Sequence, residues 1–201
     1  MMAGSAWVER DPDPVCFIQR EAGMDPLEER IRGIRLVCTD VDGVLTTGAL
    51  HYGDAPTHGK TFNVRDGAAI KWLQRSGIPV AFISGLHSPA TLHRAADLQV
   101  EDCIVGRLDK GPVLDRLCAK YGLRPAQVAH LGDDLADLPL LASVGLACCP
   151  RDAVEEVRAA AHWVVPVDGG MGVLRAVAER ILKAQGRWSG VVAAYGIVQS
   201  R

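Results

Sequence analysis

The sequence predicts an α/β protein of three layers, a central parallel sheet with helices on both faces. Two observations carry this. Short continuous apolar runs, the pattern of strands covered on both sides, alternate with amphipathic segments of helical period. Small polar or acidic residues stand at the ends of these runs, as Asp40 follows the first and Ser84 closes the second. A third observation marks an exception. Between Gly48 and Phe62 there is room for a β-hairpin flap but not for a helical crossover, and no insertion is large enough for a cap domain.

In chain order, residues 1–24 hold Asp11-Pro12-Asp13-Pro14 and no regular period, and read as a disordered N-terminal arm. Asp25-Pro26 is a helix start, a capping carboxylate before a proline in the first turn, and the helix runs through Ile31. The first strand is Ile34 to Thr39. In the flap, Ala49 to Tyr52 and Lys60 to Asn63 form the arms of a polar tip, residues 53–59. A helix over Ala68 to Arg75 turns Ala69, Ile70 and Leu73 inward, and the second strand spans Pro79 to Ser84. A helix opening at Ser88-Pro89 leads to a strand at Asp102 to Val105. The next helix, Lys110 to Tyr121, puts Val113, Leu114 and Leu117 on one stripe and stops at Gly122. Strands follow at Val128 to Leu131, Val144 to Ala147 and Trp163 to Val165, then a helix from Gly172 to Lys183. This is one Rossmann-like domain over 25–188. The tail, 189–201, contains Val191-Val192-Ala193-Ala194-Tyr195 and is apolar enough to pack on its own domain or on a neighbour.

Composition removes several classes of function. A net charge of −2 gives no basic face for nucleic acid. The six cysteines contain no C-x-x-C and the six histidines no zinc-like spacing, so the thiols read as reduced core residues. No run reaches membrane-spanning length and the N-terminus lacks an apolar signal core. The expectation is a cytoplasmic protein with no membrane partner.

The chemistry concentrates at strand ends. In an open parallel sheet, ligands bind beyond the carboxyl ends of the strands, so Asp40, Ser84 and Asp133 converge at one edge although far apart in sequence. Phosphate-ester hydrolysis needs a nucleophile, a proton donor for the leaving oxygen and cations that offset charge. Asp40 suits the nucleophile, and Asp42, two residues on, the general acid and later base. Asp133 suits metal ligation, and an all-oxygen donor set fits Mg²⁺ rather than zinc. Ser84 with the backbone at Gly85 can bind phosphoryl oxygens, and Lys110 can neutralise the phosphate and hold Asp40. Asp134 and Asp137 fit either helix caps or residues that orient the site.

The ordered set Thr39-Asp40-Val41-Asp42-Gly43-Val44-Leu45-Thr46, Phe62-Asn63-Val64-Arg65-Asp66-Gly67, Gly132-Asp133-Asp134-Leu135 and Gly169-Gly170-Met171-Gly172-Val173-Leu174-Arg175 resembles the haloacid dehalogenase superfamily of phosphohydrolases. The nearer resemblance is to the capless branch that contains 3-deoxy-D-manno-octulosonate 8-phosphate (KDO 8-phosphate) phosphatase. The resemblance implies an aspartyl-phosphate mechanism through Asp40 and Asp42, with Mg²⁺ on Asp40, the Asp42 backbone carbonyl and Asp133. It implies a phosphorylated sugar acid as substrate, met by Thr46, Arg65, Gly85, the residue at Leu86 and Arg175. It also implies a homotetramer, in which the flaps pair and a neighbour replaces the missing cap.

Two positions depart from that pattern. The branch usually carries Arg where this chain has Leu86, and Glu where it has Ala176. Both belong to parts of the pattern associated with substrate choice; they leave the hydrolytic machinery intact and allow a phosphatase for another small phosphorylated metabolite, while an inactive oligomerisation module of the same fold is the alternative from a different class. Arg65 suits bidentate contact with a substrate carboxylate, or an ion pair with Asp66.

Overall fold

Helix α1 (Pro26–Gly33) begins where Asp25 accepts the Leu27 N–H at 3.0 Å, with Pro26 already fixed for the first turn. It ends as Ile34 turns extended and donates its N–H to the Ile31 carbonyl, which delays the first strand, β1, to Leu36–Thr39. The computed structural model describes residues 25–51, 59–107 and 110–196. The expected N-terminal arm and flap tip lie outside these.

The remaining strands are β2 (Val80–Ser84), β3 (Asp102–Val105), β4 (Val128–Leu131), β5 (Leu146–Cys149) and β6 (Trp163–Val164). All pair in parallel, in the order β3-β2-β1-β4-β5-β6. The chain therefore winds outward from β1 to β3, then crosses back to β4. That reversal places a crevice between the carboxyl ends of β1 and β4. Thr39 sits level with Phe82 on β2 and Leu131 on β4, so the loops after all three strands leave from one edge.

Alternate strand residues face opposite layers. Val37, Phe82, Ala129 and Cys148 pack with Ile70 and Leu73 of α2 (Val64–Arg75), Ala95 of α3 (Pro89–Asp97) and Val177 and Ile181 of α7 (Val173–Ala184). Leu36, Cys38, Ile83 and Cys149 pack with Leu114 and Leu117 of α4 (Gly111–Tyr121), Leu140 and Leu141 of α5 (Leu138–Leu141) and Val157 of α6 (Glu155–Ala160). The three-layer α/β fold is as expected. Cysteines 38, 103, 118, 148 and 149 are free thiols. No described helix is long and apolar enough to cross a membrane.

The elements differ from expectation in places, each for a local reason. Helix α2 starts at Val64 rather than Ala68, because Asn63 caps it by accepting the Arg65 N–H. The last residue of the expected returning arm, Asn63, thus caps a helix. Among the described flap residues, strand pairing reduces to a bridge between His51 and Gly59. Strand β5 starts two residues late: Gly145 donates to the Pro125 carbonyl, and the turn before it consumes Val144. Helix α5 is the short helix that follows Asp134 and Asp137, and α6 stands where no helix is expected. In the tail, α8 (Trp188–Ala193) sets Trp188 edge-on to Trp72, 5.4 Å between rings, and Tyr195 accepts the Trp72 Nε1–H at 2.9 Å. Through Gly196, that segment packs on its own domain.

Candidate active site

The loops after β1, β2 and β4 enclose a cavity of about 340 Å³, lined by Asp40, Asp42, Gly85, Leu86, Lys110, Asp133 and Asp137, with Gly48 and Leu50 from the root of the flap. Asp40 is the residue after β1, and its N–H is tied to the Leu131 carbonyl at 2.8 Å. The Asp40 backbone is therefore fixed by the end of β4.

The chain then turns sharply. Gly43 has φ +89°, and a Cβ there would overlap the Asp133 carboxylate. Only glycine lets the loop after β1 pass beneath Asp133. Gly169 makes a second such approach, since a Cβ on it would overlap the Gly43 carbonyl. The glycine-rich motif before α7 is thus a backbone brace for the loop of Asp40 and Asp42.

Asp137 organises the buried end of the site. Its Oδ1 accepts from Lys110 Nζ at 2.7 Å and from His130 Nε2 at 2.8 Å. Its Oδ2 accepts the Asp133 and Asp134 amides at 3.2 and 3.5 Å. Burial pushes this carboxyl up, but the His130 hydrogen bond and the Lys110 charge outweigh it and bring it down to about 2. Lys110, itself buried, reaches on to Asp40 Oδ1 at 2.5 Å. The outcome for Asp40 is reversed. Burial pushes it up to about 7, aided by the Asp137 and Asp42 charges and opposed by Lys110. Asp133 is pushed up to about 8, by burial first and then by Asp40, Asp137 and Asp134.

Carboxylate oxygens of Asp40, Asp133 and Asp137 lie within 4.8 Å of one another. Crowded, buried carboxylates of this kind need a cation to remain ionised together. The lone pairs of Asp137 are already taken by four donors. Asp40 and Asp133 are therefore the side chains left to ligate, and the all-oxygen donors fit a hard divalent ion.

The second carboxylate is held differently. Asp42 Oδ2 accepts from Lys60 Nζ at 2.7 Å and lies 3.4 Å from Ser84 Oγ, while Oδ1 is buried without a partner. The Ser84 hydroxyl also reaches the Leu86 backbone at 3.2–3.3 Å.

The structure brings Asp40, Asp42, Ser84, Gly85, Leu86, Lys110, Asp133, Asp134 and Asp137 together. Asp134 works as a cap, accepting the Leu135 N–H at 2.7 Å. Three residues expected at the substrate stand elsewhere in the single chain. Thr46 is buried and spends its hydroxyl on the Val41 carbonyl and the Gly48 amide. Arg65 lies exposed in the first turn of α2. Arg175 stacks its guanidinium on Trp72 at 4.0 Å, and its amide donates to Asp66 at 2.7 Å. Asp66 is thereby committed to joining α2 and α7; burial still pushes it up to about 6.

Two contacts were not found from the sequence. His130 carried a signal, as a polar residue inside the apolar run of β4. Lys60 carried none, because a lysine beside a polar hairpin tip looks like a solvated residue.

Residues 102–177 match the model of the haloacid dehalogenase-like hydrolases. The KDO 8-phosphate phosphatase of Haemophilus influenzae is 38% identical over 174 residues, 87% of this chain and 97% of that protein. The crystal structure of the Yersinia pestis phosphatase of the same name superposes with a TM-score of 0.81 at 38% identity, covering 83% of this chain and 90% of that one. The Moraxella catarrhalis phosphatase, solved with magnesium, phosphate and KDO, gives 0.83 at 34% identity, over 86% of this chain and 99% of that one. At that identity over most of both chains, the chain belongs to the haloacid dehalogenase-like hydrolases.

Proposed function

We propose that this protein is a Mg²⁺-dependent phosphatase of KDO 8-phosphate or a closely similar phosphorylated sugar acid. The carrying observation is the cavity in which Asp40, Asp42, Lys110 and Asp133 meet at the carboxyl edge of the sheet. Relatives that cover most of the chain and are named for KDO 8-phosphate supply the substrate class.

In this reading Asp40 attacks phosphorus and forms an aspartyl phosphate, while Asp42 gives its proton to the departing sugar oxygen. Asp42 then takes a proton from water, the water oxygen attacks phosphorus, and phosphate leaves with Asp40 restored. Lys110 holds the Asp40 carboxylate in line, and the Ser84-Gly85 turn at the end of β2 is the proposed contact for the phosphoryl oxygens. Asp40, Asp133 and the Asp42 backbone carbonyl would hold Mg²⁺, which would offset the phosphoryl charge.

The lining contains five aspartates and a single cation, Lys110. A sugar-acid carboxylate therefore finds no arginine among the described lining residues of its own subunit. This supports a homotetramer in which the flap pairs with a neighbour that completes the pocket, and Leu86 at the rim fits the same need. The protein is placed in the cytoplasm with its substrate, as one domain over 25–188. Turnover of a panel of phosphorylated sugar acids and sugars, ranked by kcat/KM with and without Mg²⁺, tests the reading together with light scattering. A preference for uncharged sugar phosphates would favour the alternative to which Leu86 points.

A further inference from the structure

Lys60 enters the site from the flap, one residue past the His51–Gly59 bridge. Its side chain is 0% exposed, whereas that of its partner Asp42 is 26% exposed and lines the cavity. A lysine ordinarily carries its ammonium out to water. Removing that charge from solvent costs several kcal/mol unless a partner of good geometry offsets it. Here the flap spends a buried cation on one oxygen of one carboxylate, at 2.7 Å. The same oxygen is also the one nearest Ser84 Oγ, at 3.4 Å. The other oxygen, Asp42 Oδ1, is enclosed and has no donor. The carboxylate is therefore anchored asymmetrically.

We propose that Lys60 is a positioning residue for Asp42. It fixes the carboxylate through Oδ2 and so holds in place the group that hands a proton to the leaving group and takes one from the attacking water. Nothing new is oxidised, reduced or transferred; the device sets only the orientation of the carboxylate. It also makes the flap part of the proton-transfer apparatus, and not just a wall of the substrate pocket. Lys110 has the corresponding place at Asp40, so each carboxylate has its own buried lysine, one delivered by the start of α4 and one by the flap. The inference rests on the phosphatase reading above.

The test is a double-mutant cycle on the full-length protein with p-nitrophenyl phosphate and excess Mg²⁺. This small substrate does not need the flap for binding. Lys60→Met should lower kcat by about 100-fold, the scale of loss when a reacting group is misplaced by about an ångström, with KM little changed. Lys60→Arg should restore most of the rate. In an Asp42→Asn background, Lys60→Met should add almost nothing, because the group it positions is already lost. If Lys60→Met does not fold by circular dichroism, Lys60→Gln takes its place in the cycle. A kcat unchanged by loss of the charge, or a loss as large in Asp42→Asn as in the wild type, would overturn the proposal. Absence of Mg²⁺-dependent turnover in the wild type would instead overturn the phosphatase reading.

Discussion

The Asp133 carboxylate rests on Gly43, so closely that a methyl group on the glycine would overlap Asp133 Oδ2. The glycine of the first motif and the aspartate of the last are thus one steric unit. Gly43→Ala should act on both counts. A Cβ at φ +89° costs about 1 kcal/mol or more in backbone strain, and Asp133 has to move away from Asp40. The expected outcome is a lower Tm and a higher Mg²⁺ concentration for half-maximal activity. A metal titration matching the wild type would show that Asp133 is not held by this contact.

Asp40→Asn should abolish turnover while the fold stays intact, because the amide keeps the shape and loses the nucleophile. The Lys110 partner is also weakened, so some loss of Tm is expected. Asp42→Asn should be slower by roughly 10² to 10⁴-fold, the usual worth of a general acid–base. Steady-state rates on an aryl phosphate, with circular dichroism as the control, separate the two. Full activity in folded Asp40→Asn would exclude the aspartyl-phosphate route.

The metal-free protein should lose stability as pH rises. Burial holds Asp40 up at about 7 and Asp133 at about 8, whereas an unfolded chain titrates these groups near 4. Between those values the folded state binds more protons than the unfolded state, so stability declines with pH across the interval. Asp137 has the opposite sign. It is held down at about 2, so its contribution is present above the unfolded value and lost only as pH falls below it. In chelator, Tm should therefore fall from about pH 5 to about pH 8, and added Mg²⁺ should raise it most at the upper end. Asp133→Ala should remove much of both effects and raise the Mg²⁺ needed for turnover. A flat Tm in chelator across this window would contradict the buried-carboxylate account.

Leu86→Arg should improve the sugar-acid substrate selectively. Leu86 is 39% exposed at the cavity rim, where a guanidinium could pair with a carboxylate. An increase of about tenfold in kcat/KM for KDO 8-phosphate is expected, equivalent to ~1.4 kcal/mol, with little change for p-nitrophenyl phosphate. A uniform change on both substrates would assign Leu86 to packing instead of recognition.

The legible parts of the sequence were those with a short-range signature. Continuous apolar runs gave the strands, and β3 and β4 fall at the expected bounds. Acids and small polar residues at the strand ends gave Asp40, Ser84 and Asp133. Contacts set by tertiary packing were not legible. Lys60 is drawn inward by Asp42 over a span that no local pattern encodes, whereas His130 stood out as a polar residue in the apolar run of β4 without showing its partner Asp137. Arg175 looked like a substrate ligand because a motif ends there; its guanidinium is held by Trp72, with Trp188 at 6.0 Å. Asn63 looked like a strand residue until its cap to Arg65 was seen.

The place of β1 between β2 and β4 also has a consequence for biosynthesis. Val37 can pair with Val80 soon after synthesis, but its other neighbour, Ala129, is made much later. Until then the nascent chain presents the apolar edge of a fully buried strand, and closing the long loop to β4 is the slow, entropically costly step. Asp133 is delivered by that same event. A nascent chain that has not yet brought β4 home therefore has Asp40 without Asp133, and on the proposed mechanism hydrolytic competence arrives only when β4 pairs with β1.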